Sequence, residues 1–134
     1  MAIRVVADTH TILWYLYNDA RLSSTASALM DTIDKAGDQI AIASITLAEI
    51  IYLVEKGRID SLAFERVVQS IKQFNATLVE APFDHTIAEA MRQIARVQVP
   101  ELPDRIVTAT ALHLGVPVIS RDHKIHTSIV TTIW

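Results

Sequence analysis

Four acidic residues stand where the surrounding sequence is otherwise apolar. Asp8 is the only formal charge between Val5 and Asn18, and Glu49 is the only one between Ile40 and Val54. Asp104 opens a stretch with helical periodicity, and Asp122 follows directly after an apolar run over residues 116–119. Each acid has an ordinary reading. Asp104 would favour the positive end of a helix dipole, Asp122 would suit a turn, and Glu49 would reach solvent from a helix edge. Asp8 is the hardest to explain that way, because a carboxylate at a strand end is costly to desolvate without a partner. Brought together, the four would repel one another, and a cluster of that kind persists where divalent cations occupy it. Carboxylate oxygens without His or Cys partners suit hard ions, Mg²⁺ or Mn²⁺, rather than zinc. The chemistry such a site supports is phosphoester hydrolysis by metal-activated water.

The elements that must position these acids follow from periodicity. Short apolar, β-branched runs over 3–7, 40–43, 77–80 and 116–120 predict strands, with a fifth expected over 128–133. Helical spacing predicts helices over 9–18, 22–36, 46–56, 61–75, 85–96 and 104–114. Ser23 or Ser24 is a candidate cap for the second helix, Asp84 for the fifth, and Gly37, Gly57 and Gly115 read as helix terminators. Uniformly apolar strands alternating with helices imply a parallel sheet covered on both faces. Ligands of such sheets collect beyond the C-terminal strand ends. Asp8 and Asp122 fall there, Glu49 falls in the first turn after the second strand, and Asp104 is within reach from a helix start.

Composition narrows the alternatives. A chain of 134 residues with 51% apolar content makes one domain, spanning 1–134, and buries roughly two-thirds of its unfolded surface. The absence of cysteine excludes a disulfide scaffold, a thiolate metal site and a cysteine nucleophile. Only three glycines occur, far apart, so no phosphate-cradling loop of the P-loop or dinucleotide-binding type is present. Arg4 and Asp8 interrupt what would be a signal-peptide core, and no charge-free apolar run reaches the ~18 residues of a membrane span. A cytoplasmic protein is expected.

The residues resemble those of the PIN-domain nucleases, and specifically the VapC-like toxins of prokaryotic type II toxin–antitoxin systems. The likeness runs the whole length, through VVADTHTILWYL, SITLAEIIYLVEKGRI and LPDRIVTATALHLGVPVISRD. It implies a three-layer α/β/α sandwich with a mainly parallel sheet of about five strands. It also implies a Mg²⁺- or Mn²⁺-dependent endoribonuclease that hydrolyses RNA phosphodiesters. By the same resemblance Asp8, Glu49, Asp104 and Asp122 are the metal-binding and catalytic quartet, with Thr9 and Ser120 supporting them through hydrogen bonds. The implied partners are RNA, a cognate antitoxin and a second copy of the chain, as homodimer or hetero-oligomer. Many family members carry a small polar residue two places after the first Asp; this chain has His10, the mark of an Asp-Thr-His branch.

Other residues carry two readings. His10, Arg105 and Arg121 are candidate substrate contacts, or a helix-start His bonded to backbone and two solvated or paired arginines. His123, Lys124 and His126 form a mildly basic segment read as a loop. Trp14 and Tyr15 fall off the main apolar face of the first helix, as either core residues or an exposed pair for a partner to cover. Two rival functions remain: a PIN-fold binding module without catalysis, and a receiver-like phosphotransfer domain. The latter expects paired acids after the first strand and a phosphorylatable Asp after the third. Here Asp8 has no acidic neighbour, and the third strand runs into Glu80-Ala81-Pro82. The net charge of −3, from 12 basic and 15 acidic residues, first argues against nucleic acid. Without the four quartet acids, 12 basic residues face 11 acidic ones, so RNA affinity must come from the metal site and a few local cations.

Overall fold

Alternation along the strands decides the architecture. In a computed structural model, which describes residues 1–126 and 129–134, the first strand is β1 (Ile3–Ala7) and the second β2 (Gln39–Ala43). Val5 and Ala7 of β1, with Ile40 and Ile42 of β2, enter one buried cluster. Val6, Ala41 and Ala43 enter another on the opposite face. Successive strand side chains point to opposite faces, so a strand apolar at every position must be covered twice.

The first face is covered by α1 (Thr9–Leu16), α2 (Ser24–Lys35), α3 (Ser44–Glu55) and α4 (Ala63–Lys72), through Ile12, Leu13, Met30, Ile33, Ile50 and Val67. The second is covered by α5 (His85–Met91), α6 (Leu102–Leu114) and α7 (His123–His126), through Ile87, Ala90, Ile106, Val107 and Ile125. The remaining strands are β3 (Leu78–Ala81), β4 (Val118–Ile119) and β5 (Thr132–Ile133). All pairings are parallel, in the order β3-β2-β1-β4-β5. The result is a three-layer α/β/α fold with a five-stranded parallel sheet. The chain winds outward from β1 to β3, then returns to place β4 on the other side of β1. The crevice between β1 and β4 is therefore the topological switch point, where open parallel sheets bind ligands.

Several boundaries differ from the periodicity. The helix expected over 85–96 ends at Met91; the chain then tightens, with Gln93 N–H donating to Ala90 O and Ile94 N–H to Met91 O. The Arg105 guanidinium donates to the carbonyls of Met91 (3.2 Å) and Ile94 (3.5 Å), satisfying groups that a longer helix would have used itself. The helix with Asp104 starts two residues earlier, with Pro103 in its first turn, where proline lacks only an N–H that is unpaired anyway. Residues 123–126, read as a loop, form α7. Of the strand expected over 128–133, Ser128 lies outside the described residues and the paired part is Thr132–Ile133. Ser23 caps α2 by accepting from Ala26 N, and Gly115 ends α6 at φ +68°. Among the described residues no helix is long and apolar enough to cross a membrane.

Ile42 is fully buried on β2, between β3 and β1. Ile42→Ala should cost about 2–5 kcal/mol, read as a lower urea midpoint by circular dichroism with an unchanged slope.

Candidate active site

Parallel pairing of β1 with β4 brings the residues after both strands together. Asp8 follows β1 and caps α1: its Oδ1 accepts from Thr11 N at 3.0 Å. Its Oδ2 accepts from the hydroxyl of Ser120, which is fully buried just beyond β4. The same Ser120 oxygen accepts the backbone N–H of Asp122 at 2.9 Å. One hydroxyl thus ties both strand-end acids to a single point. Ser120 is itself held by its N–H, which donates to Ile133 O of β5 at 3.1 Å, and by the His126 ring, 2.6 Å from its carbonyl. Asp122 Oδ1 accepts from Lys124 N at 2.8 Å, fixing the carboxylate against the start of α7.

A second hydroxyl holds the third acid. Thr9, buried in the first turn of α1, donates to Glu49 Oε1 at 2.6 Å. Its oxygen lies 3.2 Å from the hydroxyl of buried Thr46, which it accepts once its own proton is committed to Glu49. Asp104 completes the group from the first turn of α6. Asp8, Glu49, Asp104 and Asp122 all line one cavity of about 450 Å³. Glu101, His10, Trp14, Arg21 and Arg121 share its wall.

Charge crowding leaves its mark on the titration. Burial, the charge of Asp122 and a hydrogen bond with that carboxyl push Asp104 from the ordinary carboxylate value up to about 8, with Glu101 adding to the rise. Glu49 is also raised, chiefly by burial and further by Asp8 and Glu101; the Thr9 hydrogen bond and His10 oppose this. An anionic cluster that cannot ionise fully on its own asks for a positive charge, and carboxylate oxygens favour hard divalent cations. The donor set therefore fits Mg²⁺ or Mn²⁺. Among the described residues no three His, Cys, Asp or Glu side chains already converge as a cage. The acids form two separately anchored halves, Asp8–Ser120–Asp122 with Asp104 on one side and Thr9–Glu49 on the other.

The cations and aromatics are placed more selectively. Trp14 is only 6% exposed, settling it as a core residue, and Tyr15 packs partly buried with its hydroxyl donating to Asp31 at 2.9 Å. The Arg121 guanidinium lies 4.8 Å from the Trp14 ring and that of Arg21 lies 5.2 Å from it. Exposed His10 sits on the same wall, 5.6 Å from Trp14. Arg105 does not line the cavity; its guanidinium is taken up by the carbonyls at the end of α5. Sequence reasoning did not find Glu101, Thr46 or Arg21. Glu101 offered a signal, an acid one helical turn before Asp104 and next to Pro100. Its carboxylate meets Lys124 Nζ at 2.7 Å and so bridges α6 to α7.

A model of the PIN domain family matches residues 5–127. Comparison with curated protein sequences returned no match. Solved structures with the same fold include VapBC2 from Rickettsia felis bound to a promoter DNA fragment, at a TM-score of 0.71 and 14% identity, with 98% of each chain covered. A DNA-bound VapBC from Salmonella typhimurium aligns at a TM-score of 0.68 and 21% identity, covering 98% of this chain and 97% of that one. A toxin–antitoxin complex from Klebsiella pneumoniae aligns at 0.67 and 22%, covering 97% and 96%.

The raised Asp104 makes a signed prediction. Between the ordinary value near 4 and about 8 the folded state keeps a proton that the unfolded chain has released, so cation-free stability falls as pH rises through that window. Asp104→Asn removes the penalty. In chelator its Tm should exceed that of the parent at pH 8 by at least ~3–5 °C, the shift about 1 kcal/mol gives in a domain this size. Below pH 4 the two should converge in differential scanning fluorimetry.

Proposed function

The chain belongs to the PIN domain family, and on that premise we propose that it is a divalent-metal-dependent endoribonuclease acting as the toxin of a toxin–antitoxin pair. The observation that carries this reading is the gathering of Asp8, Glu49, Asp104 and Asp122 around one cavity at the strand ends. Supplementary support comes from toxin–antitoxin complexes that share the fold, two of them DNA-bound. The substrate is RNA and the reaction is hydrolysis of a phosphodiester by water.

Asp8, Glu49, Asp104 and Asp122 would hold the cation, Mg²⁺ or Mn²⁺. When bound, it supplies Lewis acidity toward a phosphoryl oxygen and toward the attacking water. The chain's own contribution is orientation. Ser120 and Thr11 N–H fix both oxygens of Asp8, and Thr9 fixes Glu49. Both hydroxyls are buried, so each bond is shielded from solvent on the donor side. Arg121, braced on Trp14 at the mouth of the cavity, contacts a substrate phosphate as a planar cation. His10, beside Trp14 on the same wall, is a second polar contact for the substrate. The partners are a small antitoxin that closes the site and a second copy of the chain.

Asp8→Asn tests the chemistry with the fold preserved, because Asn caps helices as well as Asp does. Purified protein with Mg²⁺ or Mn²⁺ should cleave RNA, and the variant should lose at least about a hundredfold in rate, the scale set by removing one charge-stabilising group. Equal cleavage by the variant, or none by the parent across varied RNAs, would reduce the protein to a PIN-fold binding module. For the toxin role, expression alone should arrest growth, and a short reading frame should lie immediately upstream.

A further inference from the structure

A second hollow of about 520 Å³ adjoins the acidic cavity and shares three residues with it, His10, Trp14 and Arg21. Its own wall differs in character: Leu13, Leu53 and Ile59 give it an apolar floor, with Tyr17 and Arg58 beside them. The two acids on that wall are already engaged. Asp19 is gripped by Arg21 through two bonds, Nε to Oδ1 at 3.0 Å and Nη2 to Oδ2 at 2.8 Å. Asp60 accepts the Tyr17 hydroxyl at 2.7 Å. The guanidinium that separates the two hollows is held from two sides, by Asp19 and by the Trp14 ring, yet the Arg21 side chain remains 63% exposed.

We infer that this second hollow is a nucleoside subsite of the nuclease, receiving the nucleotide next to the scissile phosphate, with Arg21 contacting the strand as it crosses from one cavity to the other. This rests on the endoribonuclease reading above. Continuity is the first argument: the two hollows share His10, Trp14 and Arg21, so a strand whose phosphate lies over the acids reaches the second hollow by passing the Trp14 wall. Chemistry is the second. Unstacked bases are held by apolar floors, aromatic rings and guanidinium planes, while the adjoining phosphate wants a cation. The hollow offers the apolar floor of Leu13, Leu53 and Ile59 with the Arg58 guanidinium beside it, and Arg21 at its border offers the cation. Its volume lies within the range of small-molecule sites.

The test combines altered substrates with altered protein. Oligoribonucleotides bearing a single abasic residue are cleaved with Mg²⁺ by the parent, by Leu53→Trp, which fills the hollow, and by Arg58→Ala, an exposed change that spares the fold. Bis(p-nitrophenyl) phosphate, which needs no base subsite, normalises each protein's activity. One abasic position beside the cut should raise the parent's KM about tenfold, with kcat little moved. Leu53→Trp should show a similar loss on intact RNA relative to the small diester, and no further loss with the abasic strand. Arg58→Ala should raise KM in the same direction by a smaller factor. Abasic tolerance by the parent, or an abasic penalty that persists undiminished in Leu53→Trp, would overturn the subsite while leaving the nuclease standing. So would undiminished RNA cleavage by both variants, which would assign the hollow to a protein partner. If the parent cleaves neither RNA nor the small diester, the nuclease reading fails and the subsite falls with it.

Discussion

A carboxylate oxygen at the end of a parallel sheet is costly to desolvate unless hydrogen bonds replace its water. Asp8 meets that demand with two bonds of different origin, one from the first turn of its own helix and one from Ser120, 112 residues away. The second bond exists only because β4 lies beside β1 in parallel, with Ala7 opposite Ile119. Much else hangs on this pairing. Thr11 reaches across to Ile119 O, Ser120 takes up the N–H of Asp122, and β5 in turn supports Ser120. The central strand pair and the acid site are one hydrogen-bonded unit.

The electrostatics run against the fold's own stability. Asp104 is raised by its burial and further by the carboxyl of Asp122 on a facing element. Sites under this kind of tension are characteristic of chemistry rather than architecture. The molecule spends little cationic charge inside the cavity to relieve it. Arg21 and Arg121 stand at its mouth on Trp14, and Lys124 is paired with Glu101. On the proposed reading, the acids are left for a guest cation and the arginines for an anionic strand.

Legibility in the sequence varied with range. Strands that are apolar at every position read directly as doubly covered, and Val5, Val6 and Ala7 divide between the two clusters as that pattern requires. Asp8 and Asp122 stood out because a charge directly after an apolar strand lies at the sheet's C-terminal edge. What escaped were features with no local signature. Trp14 looks off-face within its own helix, yet Trp134 and two arginines enclose it. Arg105 sits next to an acid in sequence, while the nearest unmet need in space is the carbonyl end of α5. Thr46 supports Thr9 across 37 residues. The second hollow is built from α1, the end of α3, the α3–α4 connection, Asp19 and Arg21, none of which announces a cavity alone.

The distances along the chain between these partners carry a kinetic meaning. Glu49 meets Thr9 over 40 residues, and Asp8 meets Ser120 over 112. Contacts of such separation form only after long loops have closed, and their entropy cost is met late in folding. Helix α1 with its capping Asp8 can form early, but it has no hydroxyl from Ser120 until the sheet is complete out to β4. A partly folded chain therefore holds single acids, each in solvent with an ordinary affinity for protons and weak affinity for cations. The full cluster, and whatever reaction it supports, is complete only once β4 has joined the sheet.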